Sequence, residues 1–410
     1  MLDGRDKKTR ERTHMLPLDG VTVLAVEQYG AGPFGTMLLG DLGAEVIKIE
    51  NPGDGGDMSR GVGPFFQEDG SSQFYHAFNR NKRSMTLNLK HEEGRALFRE
   101  LVRHADAVLD NLRGDQAEKL GLTYEDLKDA NPRIVCAHLS AYGREGPRKS
   151  WPGYDYLMQA EAGYLGLTGE PDGPPARFGL SVVDMMTGLM TVFGLVSGIV
   201  GARASGKGLD VDVSLFDTAL HNLNYLAAWY LNAGHAQGRE PRSAHPSLTP
   251  SQLYRTKDGW LFVMCNKEKF WPILAEKLGR PDWATDPRFA TFKARLENRE
   301  AVTEMLDAAL SQRTTEDWLA HFAGEVPVAP VNDLAQALEN PFVTEHGRIA
   351  AFEGAEGGES LRMLVGPVRV SGETAPNRAA PGLGADTEAV LERVGVDAAG
   401  VAALRGKGVV

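Results

Sequence analysis

The sequence has almost no cysteine, no excess of positive charge and no internal repeat, and each lack removes a class of function. Only two cysteines, Cys136 and Cys265, occur in 410 residues, and they stand in no ligand-like spacing. They are expected to be buried thiols of a reducing, cytoplasmic compartment, neither disulfide-bonded nor nucleophilic. Acidic residues outnumber basic ones by 55 to 44, for a formal net charge of −11. Nucleic acid and anionic membranes both demand a basic field, so neither partner is expected. The ten histidines show no metal-ligand spacing, and there is no G-x-S-x-G elbow. No metal site is therefore expected. The opening stretch MLDGRDKKTRERTH lacks the apolar centre of a secretory signal. Residues 1–15 are expected to be a disordered leader. One uncharged run, MMTGLMTVFGLVSGIVGA at 185–202, reaches the lower length limit for a membrane span. Its Gly, Ser and Thr content points instead to a buried helix with close backbone packing.

What remains is a globular composition, 42% hydrophobic and 24% charged, in a chain too long for one comfortable core. Two domains are expected. Strand signals at 21–27, 45–50, 84–89, 107–111 and 134–142 alternate with helical spacing, notably at 33–42 and 91–104. That alternation predicts an α/β fold with a doubly wound, mostly parallel sheet. After the apolar helix, LDVDVSL leads into a helical pattern running to about Asn232. The polar segment 234–252 reads as a boundary or an active-site loop, 258–265 as a strand, and 267–323 as mostly helix.

Gly30-Ala-Gly32-Pro-Phe-Gly35 follows the first strand and opens a helix, and Glu50 ends the next strand about 20 residues on. This satisfies the context of a dinucleotide fingerprint, so an NAD-dependent oxidoreductase is one reading and a plain turn the other. Arg80, Lys82, Arg83 and Lys90, with Arg113, Lys119, Arg148 and Lys149, form basic groups that read either as a solvated face or as donors to a phosphate-bearing ligand.

Seven ordered blocks decide between these readings. They include PLDGVTVLAVEQYGAGPFGTMLLGDLGAEVIKIENP (17–52), FNRNKRSMTLNLK (78–90), GLTYEDLKDANPRIVCAHLSAYG (121–143), GYDYLMQAEAGYLGLTG (153–169) and VPVAPVNDLAQALENPFV (326–343). From about residue 16 to its end the chain resembles the class III CoA-transferases, the formyl-CoA transferase and carnitine-dehydratase-like (CaiB/BaiF) family. The resemblance implies a large Rossmann-like domain from residues 16–225 and 331–410, a smaller α+β domain over 226–330, and an interlocked homodimer. It places CoA contacts on Gly30, Ala31, Leu87, Asn88, Leu89, Lys90, Asn111, Leu112, Arg113, Lys119, Trp151, Pro152, Gly153 and Tyr154. Two positions depart from the family: Asn51 and Lys119 stand where formyl-CoA transferases have arginines, and a lysine lacks the planar fork.

Asp184 ends GLSVVD immediately before the apolar helix, a place where aspartate usually caps. The same place suits a catalytic carboxylate, because helix-terminal amides favour its anion. The resemblance puts the family's catalytic aspartate here. It implies covalent transfer through an aspartyl anhydride and an aspartyl-CoA thioester, with acyl-CoA and a carboxylic acid as substrates and no permanently bound cofactor. A 2-methylacyl-CoA racemase of the same fold is the alternative, but Tyr154 stands where racemases carry histidine. A phenol titrating near ~10 is a poor α-proton shuttle. No poly-glycine loop is present, and Arg242-Ser-Ala-His245 in its region resembles relatives that handle dicarboxylates such as succinate, with Arg242 and His245 as candidate contacts.

Overall fold

The computed structural model describes residues 16–353, 360–371 and 377–410. The expected leader, 1–15, lies outside the described residues. The aliphatic runs form β1 (Thr22–Val26), β2 (Glu45–Glu50), β3 (Arg83–Thr86), β4 (Ala107–Asp110), β5 (Val135–Ser140) and β6 (Leu209–Ser214). They pair in the order β3-β2-β1-β4-β5-β6, every pairing parallel. Strands β4 and β5 are buried along their whole length. Both faces being covered is why they read as unbroken apolar runs instead of alternating.

Strand order reverses between β1 and β4. The loops leaving their carboxyl ends diverge there and open a crevice, the usual ligand position of open α/β sheets. Helix α1 (Ala31–Asp41) leaves β1 directly. The expected apolar helix runs Val182–Ser205 and buries Val183, Thr187, Leu195, Ile199 and Ala202. Its opposite face, including Leu189, Phe193 and Val200, is exposed in the single chain. A buried helix was expected, with the resemblance implying burial at or near a dimer interface; within the single chain one face packs and the other is exposed.

Two element boundaries differ from expectation. The third strand ends at Thr86, because the Asn88 N–H donates to the Val409 carbonyl and draws the chain toward the C-terminal residues. The helical pattern after β6 divides into Leu215–Asn222 and Asn224–Ala233, with Asn224 at φ 43°. A left-handed residue cannot continue a right-handed helix.

The chain forms two compact units. The first contains residues 16–158, 181–222 and the described part of 347–410; the second contains 159–180 and 223–346. Residues 159–180 and 331–346 were expected in the Rossmann-like domain. Gln159 holds the first of these segments by donating to the Leu180 carbonyl and accepting the Phe178 N–H. Arg239 then donates to the carbonyls of Glu170, Gly173 and Pro174, fixing it within the second unit. That unit carries its own antiparallel sheet, β7 (Ser251–Arg255), β8 (Trp260–Met264) and β9 (Val328–Pro330), over a core of Trp271, Trp318, Phe289 and Phe322. In the first unit, β10 (Ile349–Phe352) and β11 (Leu361–Leu364) form a separate antiparallel pair. Cys136 and Cys265 are both buried free thiols, as expected, and burial pushes Cys265 up to about 12.

Candidate active site

The crevice at the strand-order reversal is built from two loops locked together. Asn111, just after β4, donates its amide to the Gln28 carbonyl at 2.7 Å and accepts the Gln28 N–H at 2.9 Å. One side chain thereby fixes the loop after β1 to the loop after β4. Beyond Gln28 the chain passes Tyr29 and Gly30 into α1.

The glycines of the fingerprint-like motif have packing roles here. A Cβ on Gly30 would lie 2.7 Å from Oδ2 of Asp184, and one on Gly32 would lie 3.0 Å from the Asn111 side chain. On Gly35 it would meet the Gly188 carbonyl at 2.6 Å. The motif brings α1 against Asn111 and against the long helix that carries Asp184. Its dinucleotide reading fails on Glu50. That carboxylate is buried, accepts both Nε and Nη2 of Arg60, and takes the Ser84 hydroxyl. It cannot also hold a ribose.

Asp184 is the third residue of the long helix, whose N-cap position is Ser181. The capping carboxylate is another one: Oδ2 of Asp155 accepts the Asp184 N–H at 3.0 Å. The expectation that helix amides hold the Asp184 anion is not met. Among the described residues no donor bonds its side chain, and burial, followed by the Asp155 charge, raises its pKa to about 7. A basic carboxylate against the amino end of α1 is suited to nucleophilic attack once ionised, with the first-turn amides of α1 available to a developing oxyanion.

Asp184 opens into a cavity of about 430 Å³. Its walls include Gly30, Ala31, Asn111, Leu112, Arg113, Trp151, Pro152, Gly153 and Tyr154. A second cavity of about 250 Å³ is lined by residues that include Asn51, Leu87, Asn88, Leu89 and Lys90. Gln28, Leu112 and Gln116 line both, so the two form one elongated crevice. It thus brings together every expected CoA contact except Lys119, an exposed side chain paired with Asp115 at 2.6 Å. Sequence reasoning did not single out Gln28, Tyr29 or Met58, which also line it, nor the cap Asp155. Asp155 and Asp184 stand 29 positions apart, a separation that gives no local signal.

The expected basic cluster disperses. Arg80 is buried against Asp41, Lys82 is buried against Glu27, and Arg83 pairs with Glu45 and Asp386. Of that group, Lys90 and Arg113 line the crevice. Asn51 caps a short turn, accepting the Gly53 N–H and donating to Asp54. Arg242 and His245 lie in the second unit. The Arg242 guanidinium pairs with Asp307 at 2.6 Å. His245 accepts the Ser247 N–H on Nδ1 and stacks on Tyr225.

The model of CoA-transferase family III matches residues 18–387. The chain is 37% identical over 365 residues to an acetyl-CoA:oxalate CoA-transferase of Acetobacter aceti, covering 88% of this chain and 91% of that protein. It is 36% identical to a succinate–glutarate CoA-transferase of Agrobacterium fabrum, covering 83% and 86%. Among solved structures, a CaiB/BaiF family protein from Brucella suis superposes with a TM-score of 0.80 at 35% identity, covering 93% of this chain and 100% of that one. The Rv3272 protein of Mycobacterium tuberculosis gives 0.80 at 29% identity, covering 92% and 99%.

Proposed function

Since this chain belongs to CoA-transferase family III, we propose that it moves CoA from an acyl-CoA donor to a carboxylic acid, with Asp184 as the covalent carrier. The observation that carries the proposal is the Asp184 carboxylate standing against Gly30, at the amino end of α1, inside the elongated crevice. An extended thioester lying along Leu87–Lys90 and past Leu112 would present its reacting carbon there.

In the proposed sequence, an Asp184 oxygen attacks the thioester carbonyl and the C–S bond breaks. This gives a mixed anhydride and CoA thiolate. The thiolate attacks the aspartyl carbonyl, the anhydride C–O bond breaks, and the donor leaves as its carboxylate. An acceptor carboxylate then attacks the aspartyl-CoA carbonyl and the C–S bond breaks, giving a second mixed anhydride and CoA thiolate. The thiolate attacks the acceptor's acyl carbonyl and the anhydride C–O bond to Asp184 breaks. Asp184 ends as the free carboxylate. Charge is conserved at each step, so the sequence calls for no resident cofactor. Asn111 and Asp155 hold the loop and the helix that meet at the reacting carbon.

Named relatives that act on oxalate, succinate and glutarate support a dicarboxylate acceptor with a succinyl-CoA-type donor. The exposed apolar face at Leu189, Phe193 and Val200 supports a homodimer that covers it, and the two reduced thiols support a cytoplasmic setting. The test is to incubate the protein with succinyl-CoA and a panel of mono- and dicarboxylic acids and to resolve the CoA esters by mass. New esters of at least one dicarboxylic acid are expected; no transfer to any acid overturns the proposal.

A further inference from the structure

Tyr29 stands in the left-handed region at φ 71°, where a side chain other than glycine costs on the order of 1 kcal/mol. Its backbone N–H donates to both oxygens of Asp57, at 3.0 and 3.3 Å. The next residue is Gly30, whose Cα faces Asp184 with no room for a methyl group. The turn that sets the distance between α1 and the Asp184 carboxylate is therefore held by the Asp57 side chain, beside the Asn111 clamp on Gln28.

Asp57 is itself fixed by a buried ionic network. Lys48 Nζ lies 2.8 Å from Asp57 Oδ2 and donates to the Glu27 carbonyl at 3.0 Å. The Glu27 carboxylate takes Lys82 at 2.7 Å and the Thr36 hydroxyl at 2.7 Å. Lys82 donates onward to the Pro33 carbonyl in α1 and to Asn79. The charged ends of Glu27, Lys48, Asp57 and Lys82 are wholly screened from solvent. Burying four charges is expensive, and apolar groups of the same volume often serve stability as well. What apolar groups cannot supply is an acceptor for the Tyr29 N–H and anchors on both sides of the turn, at the Glu27 and Pro33 carbonyls.

We infer that Asp57, braced by Lys48, is a positioning residue for the proposed transfer: it holds the Tyr29–Gly30 turn left-handed so that the amino end of α1 stays against Asp184. This rests on the reading of Asp184 as the carrier. Misplacement of a reacting group by about an ångström costs roughly a hundredfold in rate. Removing the acceptor should therefore lower kcat about ten- to a hundredfold and leave KM for the acyl-CoA within about threefold.

The experiment is a double-mutant cycle on the full chain, reading kcat and KM with succinyl-CoA. Asp57→Asn is combined with Tyr29→Gly, because glycine adopts the left-handed turn without help. The expected result is a kcat loss from Asp57→Asn that is at least threefold smaller in the Tyr29→Gly background. An equal loss in both backgrounds, or no loss in the native one, overturns the inference. If Asp57→Asn does not fold with Lys48 unpaired, Lys48→Met/Asp57→Leu replaces the whole pair and is read in the same cycle. Failure of the carrier reading is distinguishable: Asp184→Ala would then remain active, whatever the cycle shows.

Discussion

Oδ2 of Asp155 accepts the backbone N–H of Asp184 at 3.0 Å, so one carboxylate caps the helix that carries the other. The hydrogen bond positions Asp184, and the charge opposes its ionisation. With the pKa raised to about 7 by burial and then by Asp155, kcat/KM for transfer should rise with pH through about 7 and then level off. Asp155→Asn keeps an acceptor and removes the charge, so the rising limb should move to lower pH. A pH–rate profile of the two proteins checks both statements.

The same shift affects stability. The unfolded carboxyl titrates near ~3.9, so the folded state holds this proton more tightly and loses stability as pH rises from about 4 to about 7. Asp184→Asn removes the loss. Denaturant unfolding should find the variant more stable at pH 8, by on the order of 2 kcal/mol after allowing for partial solvent access, with no difference below pH 4.

Gly188 comes so close to α1 that a Cβ would lie 2.3 Å from the Ala31 carbonyl. Backbone cannot yield there as a flexible side chain would. Gly188→Ala should cost about 1–3 kcal/mol by overpacking and lower transfer by displacing Asp184 from α1. Gly30→Ala should leave the melting temperature nearly unchanged while transfer falls at least tenfold, since the nearest atoms its added methyl meets belong to the Asp184 side chain. Thermal melts alongside steady-state rates separate the two cases.

His138 is clamped across three strands, with Nδ1 2.6 Å from Asp110 and Nε2 3.0 Å from Asp210. Burial opposes its charge, but the two carboxylates win and raise its pKa to about 9. The stabilisation is complete below the unfolded pKa near ~6.5 and disappears as pH rises through 9. His138→Gln should thus destabilise by about 3 kcal/mol at pH 6 and by much less at pH 10, as denaturant unfolding at the two values would show.

The sheet and the position of the crevice were legible because buried parallel strands write themselves as continuous aliphatic runs, and Gly30 to Gly35 marked the turn after β1. The motif's purpose was not legible, since a glycine needed for helix approach and one needed for a pyrophosphate look alike in sequence. Lys48, in the middle of EVIKIE, was the one visible sign of a buried network: a lysine in a strand covered on both faces needs a partner. Its partner Asp57, the Asp155 cap and the dispersal of the basic residues depend on long-range pairing, to which periodicity is blind.

The central claim is that Asp184 carries the group being transferred. The most direct measurement is to turn the protein over with succinyl-CoA and an accepted acid in the presence of hydroxylamine, then determine the mass of the peptide containing Asp184. The account predicts conversion of that side chain to its hydroxamate, dependent on acyl-CoA, and no conversion in Asp184→Ala, which should also be inactive. An unmodified Asp184 in an enzyme that is losing activity to hydroxylamine through another residue, or an active Asp184→Ala, would contradict it.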